Sequence, residues 1–203
     1  MCVSYQLILP LIGKDTIDYF QNLKIELTKI DSFNEVIYPG RYSYIVYKNT
    51  TSNKLEKFHF GLIPNFAKEK SIYKNLFNSR SETIQEKYSF KNSFSKRRCI
   101  IPCTGFFETN KKNKKKYIIK NSNNSIISLA GIWDVWKKNE EVLYSFSIIT
   151  CPANSLISKI HDRMPVILEN SSLPTWLNIK APISNIQSML KTSESKLYTM
   201  EVA

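Results

Sequence analysis

The fold is decided by two apolar stretches separated by a short charged segment. They read IISLAGIWDVW (residues 126–136) and VLYSFSIIT (residues 142–150). Both are rich in β-branched and aromatic side chains, which favour strands. The intervening residues, KKNEE (137–141), are too few for a helical crossover and suit a hairpin. The sequence therefore predicts a pair of antiparallel strands here.

Strand-like and polar segments alternate on both sides of this pair. Further strands are predicted at 43–47, 55–61, 99–107, 116–120 and 164–168. Helices are predicted at 15–30, 82–87, 154–160, 171–177 and 183–190, and a loop at 34–40. Because hairpin-length connections outnumber helical crossovers, we expect an α+β fold with mostly antiparallel pairing and short flanking helices. With 203 residues, the chain is expected to form a single domain, 1–203.

The chain carries a large excess of positive charge. It has 29 Lys and Arg against 17 Asp and Glu, a formal net charge of +12 at pH 7. Such an excess favours a polyanionic partner, and nucleic acid comes first. The alternative is a lysine-rich composition inherited from an AT-rich genome. The run KKNKKK (111–116) is interpreted as a solvated hairpin loop rather than a specific contact.

Several classes of protein are not expected. No stretch approaches the ~18–20 apolar residues of a membrane span, and the first residues lack the basic region of a secretory signal. Cys2, Cys99, Cys103 and Cys151 show no disulfide framework, and two histidines make a zinc site improbable. We expect a cytoplasmic monomer with reduced thiols, no membrane association, no metal and no cofactor.

Cysteine at position 2 offers distinctive chemistry. Removal of Met1 leaves a free α-amine and a thiol on adjacent carbons. This 1,2-aminothiol can condense with an aldehyde and close a five-membered thiazolidine ring. The amine has an ordinary pKa near ~7.7–8, so a fair fraction is nucleophilic at neutral pH. The alternative is an unremarkable cysteine in a frayed terminus, so other segments must decide.

The segment IHDRMPV (160–166) concentrates functional side chains before a predicted strand. His161 can transfer protons near neutral pH. Asp162 is a candidate to orient the imidazole, and Arg163 can hold a phosphate with its two-pronged guanidinium. The alternative is a structural histidine with a local ion pair.

Two more segments carry suitable groups. In GFFE (105–108), Glu108 follows two phenylalanines, and burial there would raise its pKa so that it could deliver a proton. The alternative is an exposed glutamate at a strand end. In NSRSET (78–83), Asn78 and Arg80 would point to the same side of an extended segment and could hold an amine and a phosphate. The alternative is a loop that enters a helix.

Together with Cys2, these segments resemble the SRAP family (SOS response-associated peptidase domain), whose members form covalent links to abasic sites in single-stranded DNA. The resemblance runs from Cys2 to at least Leu177. It is carried by ordered blocks: PG (39–40), FGLIP (60–64), NSRSET (78–83), RCIIP (98–102), GFFE (105–108), LAGIWD (129–134), ITCPAN (149–154) and HDRMPV (161–166). It implies an SRAP-like, barrel-like sheet core.

The resemblance implies a sensor and shield of abasic sites in the DNA damage (SOS) response. The Cys2 amine would form a Schiff base with the open aldehyde of the sugar, and the thiol would close the thiazolidine. Glu108 and His161 would assist ring opening by proton transfer, and Asn78 would position the amine. Where the thiol step fails, a lyase side reaction is implied. In a bacterium, the protein would associate with the nucleoid.

The resemblance also implies the DNA contacts. Arg80 and Arg163 match positions that hold phosphates. Pro39 and Phe60 match a proline and an aromatic wedge that stack on flanking bases. The partner would be single-stranded DNA containing abasic sites, bound in a basic groove. Residues 3–4 read Val-Ser, whereas family members usually read Gly-Arg.

Two other functions remain open. In a cysteine peptidase, the activity in the family's name, Cys2 and His161 would form a nucleophile–base pair that removes residues before Cys2. A non-catalytic module would simply bind single-stranded DNA, and the residues at 3–4 favour it. The two differ from crosslinking in one respect: neither predicts a stable DNA adduct that depends on Cys2.

Overall fold

A computed structural model of the chain describes residues 3–9, 14–25 and 33–203. Its helices are α1 (Lys14–Asn22), α2 (Tyr88–Lys96), α3 (Leu173–Leu177) and α4 (Ile183–Ser188). Its strands are β1 (Ser4–Leu9), β2 (Phe33–Ile37), β3 (Tyr42–Lys48), β4 (Asn53–Phe60), β5 (Asn78–Arg80), β6 (Arg98–Cys103), β7 (Gly105–Thr109), β8 (Lys116–Asn121), β9 (Ile127–Lys138), β10 (Glu141–Pro152), β11 (Arg163–Pro165), β12 (Ile167–Leu168) and β13 (Tyr198–Val202). Within these residues, no helix is long and apolar enough to cross a membrane.

Five strands close a barrel. β10 pairs with β4, β4 with β3, β3 with β6, and β6 with β9. β9 then pairs with β10 and completes the ring. All of these pairings are antiparallel except β4–β10, which is parallel. The expected fold, mostly antiparallel and barrel-like with short flanking helices, is confirmed.

The ring closes tightly at Gly131. This residue lies opposite Cys99 of β6 and opposite Ile148 of β10, where β9 pairs with both neighbours. A Cβ atom at this position would lie 2.2 Å from Cδ1 of Ile101 and 3.0 Å from Sγ of Cys99. Because the barrel interior is closely packed, only glycine fits here without displacing its neighbours.

A second, five-stranded antiparallel sheet has the order β13-β8-β7-β1-β2. The chain passes into it directly from the barrel, since only Thr104 separates β6 from β7. The Thr104 N–H donates to the Gln6 carbonyl at 2.8 Å, which ties this junction to β1. Tyr5 of β1 is fully buried and packs edge-on against Phe60 of the barrel, with ring centroids 5.8 Å apart. The two sheets thus share one hydrophobic core, and the single domain stays a prediction.

The strand predictions are largely confirmed, with shifts of a few residues at their ends. The stretch predicted as one strand at 99–107 is divided at Thr104 into two strands that belong to different sheets. The predicted loop at 34–40 is partly wrong, because residues 33–37 form β2 and pair with β1. The sequence gives little sign of this strand, since only its two ends are buried.

Two helix predictions are wrong. Residues 82–86 form turns, Lys87 is extended, and α2 begins only at Tyr88. Ile84 is the only apolar side chain between 82 and 87, and it is buried, so this stretch lacks the apolar stripe of an amphipathic helix. At 154–160 a single 3₁₀ turn forms, Ile157–Lys159. Here the Asn154 side chain accepts backbone N–H groups at 3.1 and 3.0 Å. The predicted helix at 15–30 ends at Asn22, and residues 26–30 lie outside the described ranges.

Candidate active site

Glu108 and His161 come from distant parts of the chain and line the same pocket, which has a volume of about 260 Å³. Glu108 lies on β7, and His161 lies just before β11. Val3 and Ser4 line this pocket too, because β1 pairs antiparallel with β7. Cys2 lies outside the described residues. The pocket therefore unites two of the predicted catalytic groups with the segment that follows Cys2.

Glu108 is buried in this pocket, with 3% of its surface exposed. Burial raises the pKa of its carboxyl from 4.5 to about 7. Phe106 and Phe107, which precede it, are buried as well. Of the two interpretations of Glu108, the structure has the buried carboxyl with the raised pKa and not the exposed strand end. At pH 7, such a group is about half protonated, so it can both donate and accept a proton.

His161 is held in one tautomer by the backbone. Its Nδ1 accepts the backbone N–H of Arg163 at 3.0 Å. Burial lowers the pKa of the imidazole, so the ring is neutral at pH 7 and carries its proton on Nε2. A carboxylate oxygen of Asp162 lies 3.0 Å from the same nitrogen. The expected proximity of Asp162 to the imidazole is thus present, and its role as the orienting group stays a prediction beside the contact from the Arg163 backbone.

Three lysines from the loop between β7 and β8 also line the pocket: Lys111, Lys114 and Lys116. Within this loop, the Asn110 side-chain oxygen accepts two backbone N–H groups at 2.8 and 3.3 Å. Residues 111–115 are exposed in the connection between β7 and β8, which fits the predicted solvated hairpin loop, and a specific contact of these lysines is not tested. The sequence did indicate that these lysines lie near Glu108, because a short hairpin loop that follows Glu108 keeps its residues close to the end of that strand.

Arg163 already holds a carboxylate. Its guanidinium forms a two-pronged ion pair with Glu82, with Nη2 2.9 Å from Oε2. Nη2 also donates to the Thr150 carbonyl at 2.7 Å. These hydrogen bonds from Arg163 lower the pKa of Glu82 to about 2, so the carboxylate stays ionised at neutral pH. The two-pronged guanidinium of Arg163 is also suited to a phosphate. The contact between Arg163 and DNA stays a prediction.

Asn78 and Arg80 lie on β5, which pairs in parallel with the second half of β10. Between them Ser79 is buried, whereas Asn78 is half-buried and Arg80 is exposed. Asn78 and Arg80 therefore point to the same side, as predicted for an extended segment. Neither is among the described residues that line the Glu108 pocket. Their functional roles stay predictions.

The predicted aromatic wedge is wrong. Phe60 is fully buried and stacks on Phe146 inside the barrel, with ring centroids 5.1 Å apart, so it cannot reach a DNA base. Phe66 and Tyr88 form an exposed aromatic pair instead, with centroids 4.4 Å apart and exposed fractions of 45% and 66%. Pro39 is partly exposed, and its stacking role stays a prediction.

The sequence profile of the SOS response associated peptidase (SRAP) family matches residues 1–203. The chain belongs to the SRAP family. The resemblance carried by the sequence blocks is thereby confirmed.

Individual SRAP proteins agree with this assignment. The chain is 37% identical over 146 residues to the abasic site processing protein YoqW of Bacillus subtilis (strain 168), an alignment that covers 70% of this chain and 65% of YoqW. It is 31% identical over 182 residues to the abasic site processing protein HMCES of Rattus norvegicus, covering 73% of this chain and 46% of HMCES. The chain thus spans less than two thirds of these curated relatives.

A solved structure supports the fold along the whole chain. The crystal structure of a protein from Bacteroides thetaiotaomicron is similar to this SRAP chain with a TM-score of 0.81 and 28% sequence identity. The match covers 99% of this chain and 91% of the other.

The other cysteines of this SRAP chain are poor nucleophiles. Cys99, Cys103 and Cys151 are buried free thiols. Burial raises the pKa of each of them, so little thiolate forms at neutral pH. Among the described residues, no group of His, Cys, Asp and Glu side chains is arranged to hold a metal ion.

Proposed function

We propose that this protein senses and shields abasic sites in single-stranded DNA by a covalent thiazolidine link through Cys2, after removal of Met1. The supporting observation is the pocket that Glu108 and His161 share with Val3 and Ser4. Cys2 directly precedes Val3 in the chain. SRAP relatives named as abasic site processing proteins support the same activity.

The first step opens the sugar ring, because only the open form presents an aldehyde. The Glu108 carboxylate takes the proton of the C1′ hydroxyl, the bond between C1′ and O4′ breaks, and the proton passes to O4′. His161 donates a hydrogen bond from Nε2–H to the oxygen that accepts this charge. A carboxyl pKa of about 7 suits both halves of the transfer.

The second step forms two bonds at the aldehyde carbon. The neutral amine of Cys2 adds to this carbon, Glu108 protonates the departing hydroxyl, and one water leaves as the Schiff base forms. The thiolate then adds to the same carbon, and the nitrogen keeps one hydrogen in the thiazolidine. Asn78 would position the amine, as the family resemblance implies. Without the thiol, the Schiff base promotes β-elimination of the 3′ phosphate, which gives the lyase side reaction.

The DNA strand would be held by phosphate contacts and base stacking. Arg80 and Arg163 are the proposed phosphate ligands, and a phosphate at Arg163 would replace the Glu82 carboxylate. Stacking would come from Pro39 and from the exposed pair of Phe66 and Tyr88, at about 1–3 kcal/mol per base. These contacts carry little base information, so we expect slight sequence preference. We further propose that the protein acts as a cytoplasmic monomer at the nucleoid.

The test is incubation with a uracil-excised single-stranded oligonucleotide, followed by a denaturing gel and intact mass measurement. We expect a heat-stable adduct whose mass is that of the protein without Met1 plus the DNA minus one water. Cys2→Ala should form no such adduct. Glu108→Gln should form it about 10²–10⁴-fold more slowly, because proton transfer is lost. The control Glu86→Gln changes an exposed carboxylate in the turn before α2 and should leave the rate unchanged.

The same experiment separates the alternatives. A heat-stable adduct in Cys2→Ala would contradict the thiazolidine chemistry. DNA retained equally by the wild type and Cys2→Ala, without an adduct, would identify a non-catalytic binding module. Release of an added leader peptide without any DNA adduct would identify a peptidase.

A further inference from the structure

We propose that Lys114 and Lys116 form a phosphate-binding rim on the Glu108 pocket and hold the phosphodiester next to the abasic residue. This inference rests on the proposed function and adds a DNA contact to the same site. It concerns the loop that the sequence alone presented as solvated. Both lysines line the pocket.

Lys116 is fixed in position by aromatic neighbours. Its Nζ lies 4.1 Å from the ring centroid of Phe107 and 5.4 Å from that of Tyr38. It also donates a hydrogen bond to the Tyr38 hydroxyl at 3.1 Å. An ammonium group has three N–H donors, so two remain for an anion. Because the side chain is already restrained, binding loses less side-chain entropy than it would at a mobile surface lysine.

Lys114 is directed by the backbone of the hairpin loop. Its φ of 61° lies in the left-handed region, which is uncommon for a residue with a side chain. The turn is closed by hydrogen bonds from the Lys114 N–H to the Asn110 carbonyl at 3.0 Å and from the Asn110 N–H to the Lys115 carbonyl at 2.9 Å. This reversal brings Lys114 to the pocket, together with Lys116 two residues later.

The arrangement of charges around the pocket makes Lys114 and Lys116 available to bind an anion. The third lysine, Lys111, is neutralised by Asp162, with Nζ 2.6 Å from Oδ1. Within residues 3–9, 14–25 and 33–203, none of the ion pairs involves Lys114 or Lys116. Burial raises the pKa of the Glu108 carboxyl to about 7, so this group opposes the lysine charges less than an ordinary carboxylate would. The lining therefore carries an excess of positive charge.

The position of the rim fits a strand of DNA that enters the pocket. Tyr38, which braces Lys116, directly precedes Pro39, the proposed stacking residue. Tyr38 is 45% exposed, so the surface from Pro39 to Lys116 is open to a ligand. A lysine ammonium binds phosphate as a point charge and without base preference. The phosphodiester backbone, rather than a base, is the group that matches this rim.

The experiment measures the salt dependence of DNA binding by fluorescence anisotropy. The probe is a single-stranded oligonucleotide with one tetrahydrofuran residue, which has no aldehyde and cannot crosslink. Lys114→Gln and Lys116→Gln should each reduce the slope of log K against log salt by about 0.7, the value for one phosphate contact on a single strand. Each should also weaken binding about fivefold at 0.1 M salt.

The matched control is Lys112→Gln. Lys112 lies in the same loop and carries the same charge, but it is not among the described residues that line the pocket. Its slope should equal that of the wild type. Lys116→Arg keeps the charge and should keep the slope, which separates phosphate binding from a purely structural role. An equal loss of salt slope in Lys112→Gln, or an unchanged slope in both pocket variants, would contradict phosphate binding by Lys114 and Lys116.

Adduct formation with a true abasic oligonucleotide is scored in parallel. If the wild type forms the adduct but the pocket variants keep the wild-type salt slope, the phosphate-binding role of Lys114 and Lys116 is wrong. The proposed function is then unaffected. If the wild type forms no adduct but the pocket variants have a smaller salt slope, the proposed crosslinking function is wrong. The two lysines are then supported as DNA contacts.

Discussion

At the scale of single residues, the buried carboxyl of Glu108 couples function to stability. Its pKa is raised from 4.5 to about 7 by burial. Between these values, the folded state holds a proton that the unfolded state has released. Stability therefore falls as the pH rises through this window, by about 3 kcal/mol in total for such a shift.

Glu108→Gln should remove this contribution, because an amide cannot ionise. We expect the free energy of unfolding of the wild type to fall more steeply between pH 5 and pH 8 than that of Glu108→Gln, by up to about 3 kcal/mol. Urea unfolding at the two pH values measures the difference. Glu86→Gln, at an exposed position, should behave like the wild type. Parallel pH profiles for wild type and Glu108→Gln would show that this carboxyl ionises normally.

Single residues were predictable from sequence where chain neighbours determine the environment. The two phenylalanines before Glu108 made burial with a raised pKa one of two open interpretations, and the structure has the buried one. Phe60 was misassigned because its exposure depends on the barrel, where Phe146 from a strand far along the chain covers it. The tautomer of His161 was equally hidden, since it depends on one backbone N–H from Arg163.

At the scale of elements, the Glu82–Arg163 pair joins the turns before α2 to the start of β11. The carboxylate occupies the guanidinium fork that would bind a phosphate. If Arg163 binds DNA as proposed, Glu82 competes with the phosphate for the same donors. The ion pair therefore sets how readily this edge of the site accepts a strand.

Glu82→Gln should free the fork for phosphate. We expect tighter binding of single-stranded DNA, about fivefold at 0.1 M salt, and a salt slope steeper by about 0.7. Glu86→Gln removes the same charge from the same turn segment and should leave the slope unchanged. A Glu82→Gln variant with an unchanged slope and lower stability in urea would show that Arg163 is a structural tie to Thr150 rather than a DNA ligand.

The boundaries of these elements were harder to predict than their existence. The hairpin of β9 and β10 follows from its apolar runs and short charged connection. The division at Thr104 does not, because residues 99–107 are apolar on both sides of it and the change of sheet depends on pairing with β1. The turns at 81–86 also depend on distant groups, since Glu82 is held by Arg163.

At the scale of the whole molecule, the active-site pocket depends on the joint stability of the barrel and the second sheet. Glu108 belongs to the second sheet, and His161 follows the barrel strand β10. The contact between Tyr5 and Phe60 lies in the core shared by both sheets. We therefore expect the two sheets to unfold as one cooperative unit, as the single-domain prediction requires.

Two probes can report on the two sheets separately. Trp133 and Trp136 lie on the barrel strand β9 and Trp176 on α3, whereas no strand of the second sheet contains tryptophan. Tryptophan fluorescence thus follows the barrel, and hydrogen exchange of β7 and β8 amides follows the second sheet. We expect coincident urea midpoints.

Tyr5→Ala should lower both urea midpoints together, because loss of a buried aromatic ring lowers the free energy of unfolding by about 3–5 kcal/mol. The reason is that this ring packs in the shared core, so neither sheet keeps its stability when the contact is lost. A second sheet that exchanges at lower urea than the tryptophan transition, or that alone responds to Tyr5→Ala, would divide the chain into two folding units. Glu108 could then leave the pocket without unfolding of the barrel, and adduct formation would fall in urea before the tryptophan signal changes.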